Sequence, residues 1–446
     1  MKLSKYNLII PIDNEEKNIL FNTFNGSCLK ISCSTSWAIK NNRIDMLEND
    51  EVNLLTKTGI LISDNIDEDK VFSYMLNEEK YNSRLFSVTI LLTMSCNLRC
   101  TYCFQGHDNR SMTLDGEKAD RIIGFITSSA KNRGVKHISI MLFGGEPLVN
   151  INVGYYILAK VEEFCKQNDM TYSSAIITNG TLLNVDMISK LFRFNCHMIQ
   201  ITLDGIKKIH DGRRMYQNGK GSFDETIKAL MLLKEHRKIH TVIRINIDKT
   251  NIDKIHELLK YIGKNSIDLT DFRVDFGIVR GETAGCSGYS ENCFNESEIG
   301  DVLYDLWNSA ILQGFKYNIR PIRKNMYCGL YSNNQFTIDP NCDVYKCWEH
   351  VGDGKHLMGK IDKYGKLVNL TYAFFDWMSR DPLKNEQCNK CVYLPVCGGG
   401  CGVMSYNQTG SYHSSGCFKI KGTVEKQVLK YVEYMENEKR KHNSFK

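Results

Sequence analysis

Cys96, Cys100 and Cys103 stand in the run Leu91-Leu92-Thr93-Met94-Ser95-Cys96-Asn97-Leu98-Arg99-Cys100-Thr101-Tyr102-Cys103-Phe104, with the spacing C-x3-C-x2-C. Iron–sulfur clusters are normally held by four cysteines. Three thiolates on one short loop can hold three irons of a [4Fe–4S] cluster and leave the fourth open to a small molecule. Two plainer readings exist: ordinary buried cysteines, or zinc, which favours a closed set of four ligands built from C-x2-C pairs. The loop follows Phe86–Leu92, an apolar and β-branched run that reads as a buried strand. It therefore belongs at the C-terminal end of a strand, where α/β folds carry their chemistry.

The chain has 446 residues, enough for two or three domains. A net charge of +6 is modest and calls for neither nucleic acid nor a membrane surface; the Lys/Arg-rich tail after Tyr431 reads as a solvated helix end. No apolar run approaches the ~18 residues of a membrane span. The segment Met1–Pro11 has only Leu8-Ile9-Ile10 as an apolar core, too short for a signal peptide. The expected location is the cytoplasm. There, 17 cysteines fit metal ligation better than disulfides, and so many metal-type cysteines point to a cell with little oxygen.

Residues 1–83 hold no catalytic motif. Asn7–Pro11, Asn18–Thr23 and Ser27–Ser32 read as strands, with Asn25-Gly26 as a hairpin signal between the last two. Ser34–Lys40, Asp50–Thr58 and Glu68–Met75 read as helices. This predicts a small winged-helix-like domain. From residue 84 to 315 the pattern is regular. Strands are predicted at Phe86–Leu92, His137–Leu142, Ala175–Thr178, Met198–Leu203, Thr241–Ile247 and Phe272–Ile278. Helices are predicted at Thr113–Lys131, Val153–Gln167, Val185–Phe194, Ser222–Arg237, Ile252–Gly263 and Glu296–Leu312. Alternating β/α units imply a parallel sheet. Residues 281–295, with Cys286 and Cys293, read as a loop.

The loops after these strands carry further signals. Gly144-Gly145-Glu146-Pro147 follows the second strand, Thr178-Asn179-Gly180-Thr181 the third, and Thr202-Leu203-Asp204-Gly205 the fourth, with His210-Asp211-Gly212-Arg213-Arg214 beyond it. Glycines let a backbone approach a ligand closely. A guanidinium fork suits a carboxylate. Surface arginines and an N-cap aspartate are the bland alternative. His210 reads as structural, and Arg244 and Asn246 are not separable from ordinary barrel polars.

With Tyr102 between the last two cysteines and Gly144-Gly145-Glu146 one β/α unit downstream, the sequence resembles the radical SAM enzymes. The resemblance implies a partial (β/α)6 barrel whose [4Fe–4S] cluster, held by Cys96, Cys100 and Cys103, chelates S-adenosylmethionine (SAM) through its open iron. Reductive cleavage of SAM then gives a 5′-deoxyadenosyl radical that abstracts hydrogen from the substrate. By the same resemblance Gly144, Gly145 and Glu146 contact the SAM amine, Thr202 the ribose and Arg214 the carboxylate, with Tyr102, Asn179 and Asp204 as further cofactor contacts.

A second cysteine-rich region, residues 316–425, holds Cys328, Cys342, Cys347, then Cys388-x2-Cys391-x5-Cys397-x3-Cys401, and Cys417. Residues 426–446 read as a helix and tail. Two zinc-ribbon-like sites are one reading. The spacings resemble the SPASM extension of some radical SAM enzymes, which implies two auxiliary [4Fe–4S] clusters. One takes Cys388, Cys391, Cys397 and Cys417. The other takes Cys328, Cys347 and Cys401, with Cys342 as the favoured fourth ligand; Cys286, Cys293 or an open iron are the alternatives.

A chain of this build resembles the peptide maturases, such as sactisynthases and ranthipeptide maturases, and the anaerobic sulfatase maturases. The latter carry an Asp directly after the second auxiliary-cluster cysteine; here Trp348, Glu349 and His350 follow Cys347. The expected reaction is oxidative crosslinking, thioether or carbon–carbon, of a short ribosomally made precursor peptide. Residues 1–83 would bind its leader as an added β-strand or serve as a lid. Glu349 or Asp204 is the candidate proton acceptor, and a flavodoxin or ferredoxin the expected electron donor. The alternatives are formylglycine formation and a non-catalytic iron–sulfur, zinc or peptide-binding scaffold.

Overall fold

A computed structural model describes residues 1–446 except 14, 107–110, 283, 318–319 and 445–446. At the N-terminus, Asn7–Pro11, Lys17–Asn22 and Cys28–Ser32 form a three-stranded antiparallel sheet, followed by helices Cys33–Lys40, Asn49–Lys57 and Glu68–Lys80. Polar side chains cap the otherwise unpaired N–H groups at the start of each helix. Ser32 accepts from Thr35 N–H, Glu48 and Glu51 form a capping box, and Asp67 accepts from Asp69 and Lys70. A short pair, Lys2–Leu3 with Leu61–Ile62, ties the first residues to the end of this segment.

Six parallel strands follow: β1 (Leu85–Leu91), β2 (His137–Phe143), β3 (Thr171–Thr178), β4 (Cys196–Thr202), β5 (His240–Ile247) and β6 (Arg273–Ile278). Helices α1 (Gly116–Arg133), α2 (Ile151–Gln167), α3 (Val185–Arg193), α4 (Phe223–Lys234), α5 (Ile252–Ile262) and α6 (Glu296–Leu312) pack against them. The strands lie side by side in chain order. Val88, Ile90, Ile140, Ile176, Ile199, Ile201, Ile243 and Ile245 are wholly buried in the sheet. Alternate residues such as Ser139, Met141 and Phe143 of β2 are only partly buried, and Phe143, Gln200, Thr202 and Arg244 line the barrel's cavity. The result is the expected partial (β/α)6 barrel.

The two edges of this sheet differ. Strand β7 (Gln335–Ile338) pairs in parallel with β1, Gln335 opposite Ser87, and leads into three short antiparallel strands ending at Leu367–Val368. At the other edge β6 has, among the described residues, a strand neighbour on one side alone. Residues 281–295, expected as a loop, include a 3-10 segment at Ala284–Asn292. A last helix runs Thr423–Ser444. It packs on α6, and Val424 and Val428 meet Ile10, Ile19 and Phe21 of the N-terminal sheet. No helix among the described residues is long and apolar enough to cross a membrane.

Candidate active site

The C-terminal ends of the barrel strands open on a cavity of about 550 Å³, within the usual range for a cofactor site. The cysteine loop forms one wall. It is held by backbone pairing to the segment after β4: Arg99 N–H to Met215 O at 2.7 Å and Thr101 N–H to Arg213 O at 3.0 Å. Cys96, Cys100 and Cys103 all line the cavity. Burial pushes the Cys100 thiol up to about 12, against the pull of nearby Arg214. A thiol of that kind is inert, whereas a coordinating metal ion deprotonates it outright.

The Gly-Gly-Glu segment packs backbone to backbone on the same loop. Gly145 N–H donates to Thr93 O at 2.8 Å and Glu146 N–H to Ser95 O at 2.9 Å. A Cβ on Gly144 would lie 2.2 Å from Thr93 O, and one on Gly145 2.4 Å from Ser95 O. Both glycines are therefore required by the close approach of two chain segments. The Glu146 side chain is 1% exposed, and its carboxylate accepts from Leu148 N–H at 3.0 Å, the Thr178 hydroxyl at 2.6 Å and Asn179 N–H at 2.7 Å. Burial raises its carboxyl and these three donors pull it back. Glu146 thus fixes the loop after β3 and still borders the cavity. Asn179 donates to Asn97 Oδ1 at 2.8 Å, joining that loop to the cysteine loop.

Tyr102 lies at the centre of a buried network. Its hydroxyl donates to the Asp204 carboxylate and accepts from Arg214 Nη1 at 2.8 Å and Asn246 Nδ2 at 3.3 Å. The Arg213 guanidinium covers its ring at 4.7 Å and forms an ion pair with Asp248 at 2.8 Å. Thr202 and Arg214 border the cavity. Asp204, expected as a further cofactor contact, is fully buried, accepts from Asn246 N–H at 3.0 Å as well as from Tyr102, and is not among the residues lining the cavity. Its place behind Tyr102 makes it a support for the wall, since its carboxylate oxygens face protein donors.

Cys328, Cys347 and Cys401 line the same cavity. Cys388, Cys391, Cys397 and Cys417 line a separate, small cavity together. Cys342, the favoured fourth ligand beside Cys328, is not among the residues lining the cavity that Cys328 borders. It sits in a tight turn with φ +65° between β7 and the following strand, wholly buried, its thiol 3.7 Å from Lys118 O on α1. Cys286 borders the central cavity and donates to Tyr102 O at 3.1 Å; Cys293 donates to Tyr289 O at 3.7 Å. All described cysteines are free of disulfides.

Residues 90–262 match the Radical SAM superfamily. The chain carries a radical SAM domain. It is 28% identical over 326 residues to the cysteine-type anaerobic sulfatase-maturating enzyme of Clostridium novyi (strain NT), covering 69% of this chain and 85% of that protein. Its fold is similar to that of native anSMEcpe with bound AdoMet, at TM-score 0.60 and 18% identity, over 81% of this chain and all of that one. It is also similar to Streptococcus suis SuiB bound to precursor peptide SuiA, at TM-score 0.55 and 18% identity, over 93% of this chain and 98% of that one. The protein is a radical SAM enzyme, of a family that uses a [4Fe–4S] cluster and SAM.

The donor set fits that chemistry. Among the described residues no three His, Cys, Asp or Glu side chains converge on a single-ion position, as zinc at ~2.0–2.3 Å would need. Thiolates that each hold a different iron of a cluster stand farther apart. Two arginines also line the radical SAM cavity: Arg280, which no motif marks, and Arg244, which the sequence alone does not separate from ordinary barrel polars. Arg280 pairs with Glu349, and the other Glu349 oxygen is buried without a partner among the described residues. Arg244 lies where a Cβ on Gly277 of the adjacent strand would fall, 2.1 Å from Nη2. A glycine inside the strand Arg273–Ile278 is the available signal for that close approach. Phe143 meets Trp348 at 5.7 Å and stacks on Phe104 at 6.4 Å, giving the cavity an aromatic wall.

Proposed function

We propose that this radical SAM enzyme is a peptide maturase that oxidatively crosslinks a ribosomally made precursor peptide, forming a thioether or carbon–carbon bond. One observation carries the reading: Cys96, Cys100 and Cys103, and Cys328, Cys347 and Cys401, are two sets of three cysteines facing one cavity. In this reading the first set holds the SAM cluster and the second an auxiliary cluster with an open position, while Cys388, Cys391, Cys397 and Cys417 close another auxiliary cluster. When bound, the SAM cluster supplies hydrogen abstraction, and the auxiliary clusters take up the surplus electron.

The chain's own residues have three roles. Thr202, Arg214 and the Gly144-Gly145-Glu146 backbone bind and orient SAM. Phe104, Phe143 and Trp348 keep water from the reacting centre. Glu349, held by Arg280, offers its second carboxylate oxygen as proton acceptor. Residues 1–83 are read as the leader-binding module, 84–315 as the barrel, 316–425 as the auxiliary-cluster domain and 426–446 as a helix and tail. In support, SuiB, solved with a precursor peptide, covers more of this chain than anSMEcpe does, 93% against 81%. A flavodoxin or ferredoxin would supply the electron.

The test is the mass of the short peptide encoded beside this gene after anaerobic co-expression, with Cys96→Ala as control. Loss of two hydrogens per modification, absent in the control, is the expected result. A second reading follows from the relatives named as sulfatase-maturating: an aldehyde at one Cys or Ser, with no link between residues, would replace crosslinking by formylglycine formation. The Trp348-Glu349 pair after Cys347, in place of Asp, weighs against it.

A further inference from the structure

Beside the reaction cavity lies a larger one of about 1000 Å³, along the free edge of β6. Tyr327, Phe418 and Lys419 line both cavities. These three side chains stand between the space beside the open barrel edge and the cavity lined by the cysteines.

A free strand edge invites pairing with another chain. Here two of its carbonyls are already taken. Val274 O accepts from the Tyr317 hydroxyl at 2.6 Å and Phe276 O from Lys419 Nζ at 3.3 Å. These residues are two apart and face the same edge. A guest segment in this groove is therefore read by side chains and not by adding a full strand.

Those side chains have a definite character. Arg273, Lys316 and Lys324 are exposed on the groove and form no ion pair among the described residues. The groove's two acids are engaged, Asp271 with Arg237 and Asp275 with Arg244. The same lining includes Leu303 and Trp307 of α6, and Ile322, which is 63% exposed. Unneutralised cations around an apolar floor complement an acidic segment with interspersed apolar side chains.

We propose that this groove docks an extended acidic–apolar stretch of the substrate peptide and feeds the residue to be modified between Tyr327, Phe418 and Lys419 into the reaction cavity. The proposal rests on the peptide reading above and adds the chemistry of the recognised segment and its route.

The test is a binding measurement on the purified full chain that requires no turnover. Fluorescence anisotropy is read with a labelled peptide of repeating Glu, Leu and Ser, its Gln counterpart, and a single-stranded oligonucleotide of equal charge. The acidic peptide should bind at least ~10-fold more tightly than the Gln peptide and weaken with added salt. The triple change Arg273→Glu, Lys316→Glu and Lys324→Glu should lower its affinity ~10-fold or more, and each single reversal part of that. Reversing Lys131, Lys136 and Lys208, exposed and away from the groove, should leave it unchanged. A matching thermal melt shows that each variant is folded. Equal losses in both triple variants, equal binding of the Gln peptide, or tighter binding of the oligonucleotide would each overturn the proposal. The probe carries no residue to be crosslinked, so failure here leaves the co-expression result standing, and the reverse.

Discussion

Arg214 donates from Nη1 to the Tyr102 hydroxyl at 2.8 Å, and that hydroxyl donates onward to the buried Asp204 carboxylate. A residue of the cysteine loop and two residues around the end of β4 are thereby fixed to one another. Tyr102→Phe removes these two bonds and the one from Asn246 at once. Leaving buried polar groups unpaired costs about 1–3 kcal/mol. The expected outcome is looser SAM binding and roughly 10-fold slower release of 5′-deoxyadenosine under reduction, with iron content retained. Unchanged kinetics would show that Arg214 is held by other groups.

Gly145→Ala would put a methyl group 2.4 Å from Ser95 O and 2.5 Å from Met94 O. The cysteine loop must then move. We expect iron bound after anaerobic reconstitution to fall by about the content of one cluster. Gly116→Ala, with nothing within 4 Å of the added carbon, should bind iron like the parent.

Cys342 and Cys328 separate burial from ligation. Cys342→Ala removes a thiol whose described hydrogen bond goes to Lys118 O, so bound iron should stay at the parental level. Cys328→Ala removes a thiol of the cavity wall and should lower it. A loss with Cys342→Ala would restore that residue as a ligand.

His210 makes the metal-free protein acid-sensitive. Burial, then the charges of Arg214 and Arg213, hold its pKa well below the ordinary 6.5. It stays neutral when folded, with Asp204 N–H donating to Nδ1 at 3.3 Å and Ser222 at 3.1 Å from Nε2. The unfolded chain takes up a proton below about pH 6.5 that the folded chain refuses. Stability is therefore fully present above that pH and falls as pH drops, by up to about 1.4 kcal/mol per pH unit. Urea titrations of apo-protein between pH 7 and 5 should show a flatter pH dependence for His210→Gln.

The barrel was legible because each buried strand and amphipathic helix carries its own period; α6 begins and ends where its pattern does, at Glu296 and Leu312. Strand β3 begins at Thr171, four residues before the apolar run at Ala175, because Tyr172-Ser173-Ser174 pair with β2 despite their polarity. Long-range placement was not legible. Spacing alone could not show that Cys342 sits in a turn that carries its thiol to α1, or that Asp204 lies behind Tyr102. The Arg280–Glu349 pair joins residues 69 apart, and only the closed fold brings them together.

The pairing of β7 with β1 sets the order in which the molecule can be completed. Gln335 pairs across from Ser87, and the chain between them must be made first. During synthesis the side of β1 that β7 covers stays bare until residues 335–338 have left the ribosome. The cysteine loop at the end of that strand is then already outside the tunnel. An emerging chain thus presents its first cysteine loop beside an unprotected strand edge, and cluster insertion before the last third is translated would act on a sheet still lacking its seventh strand.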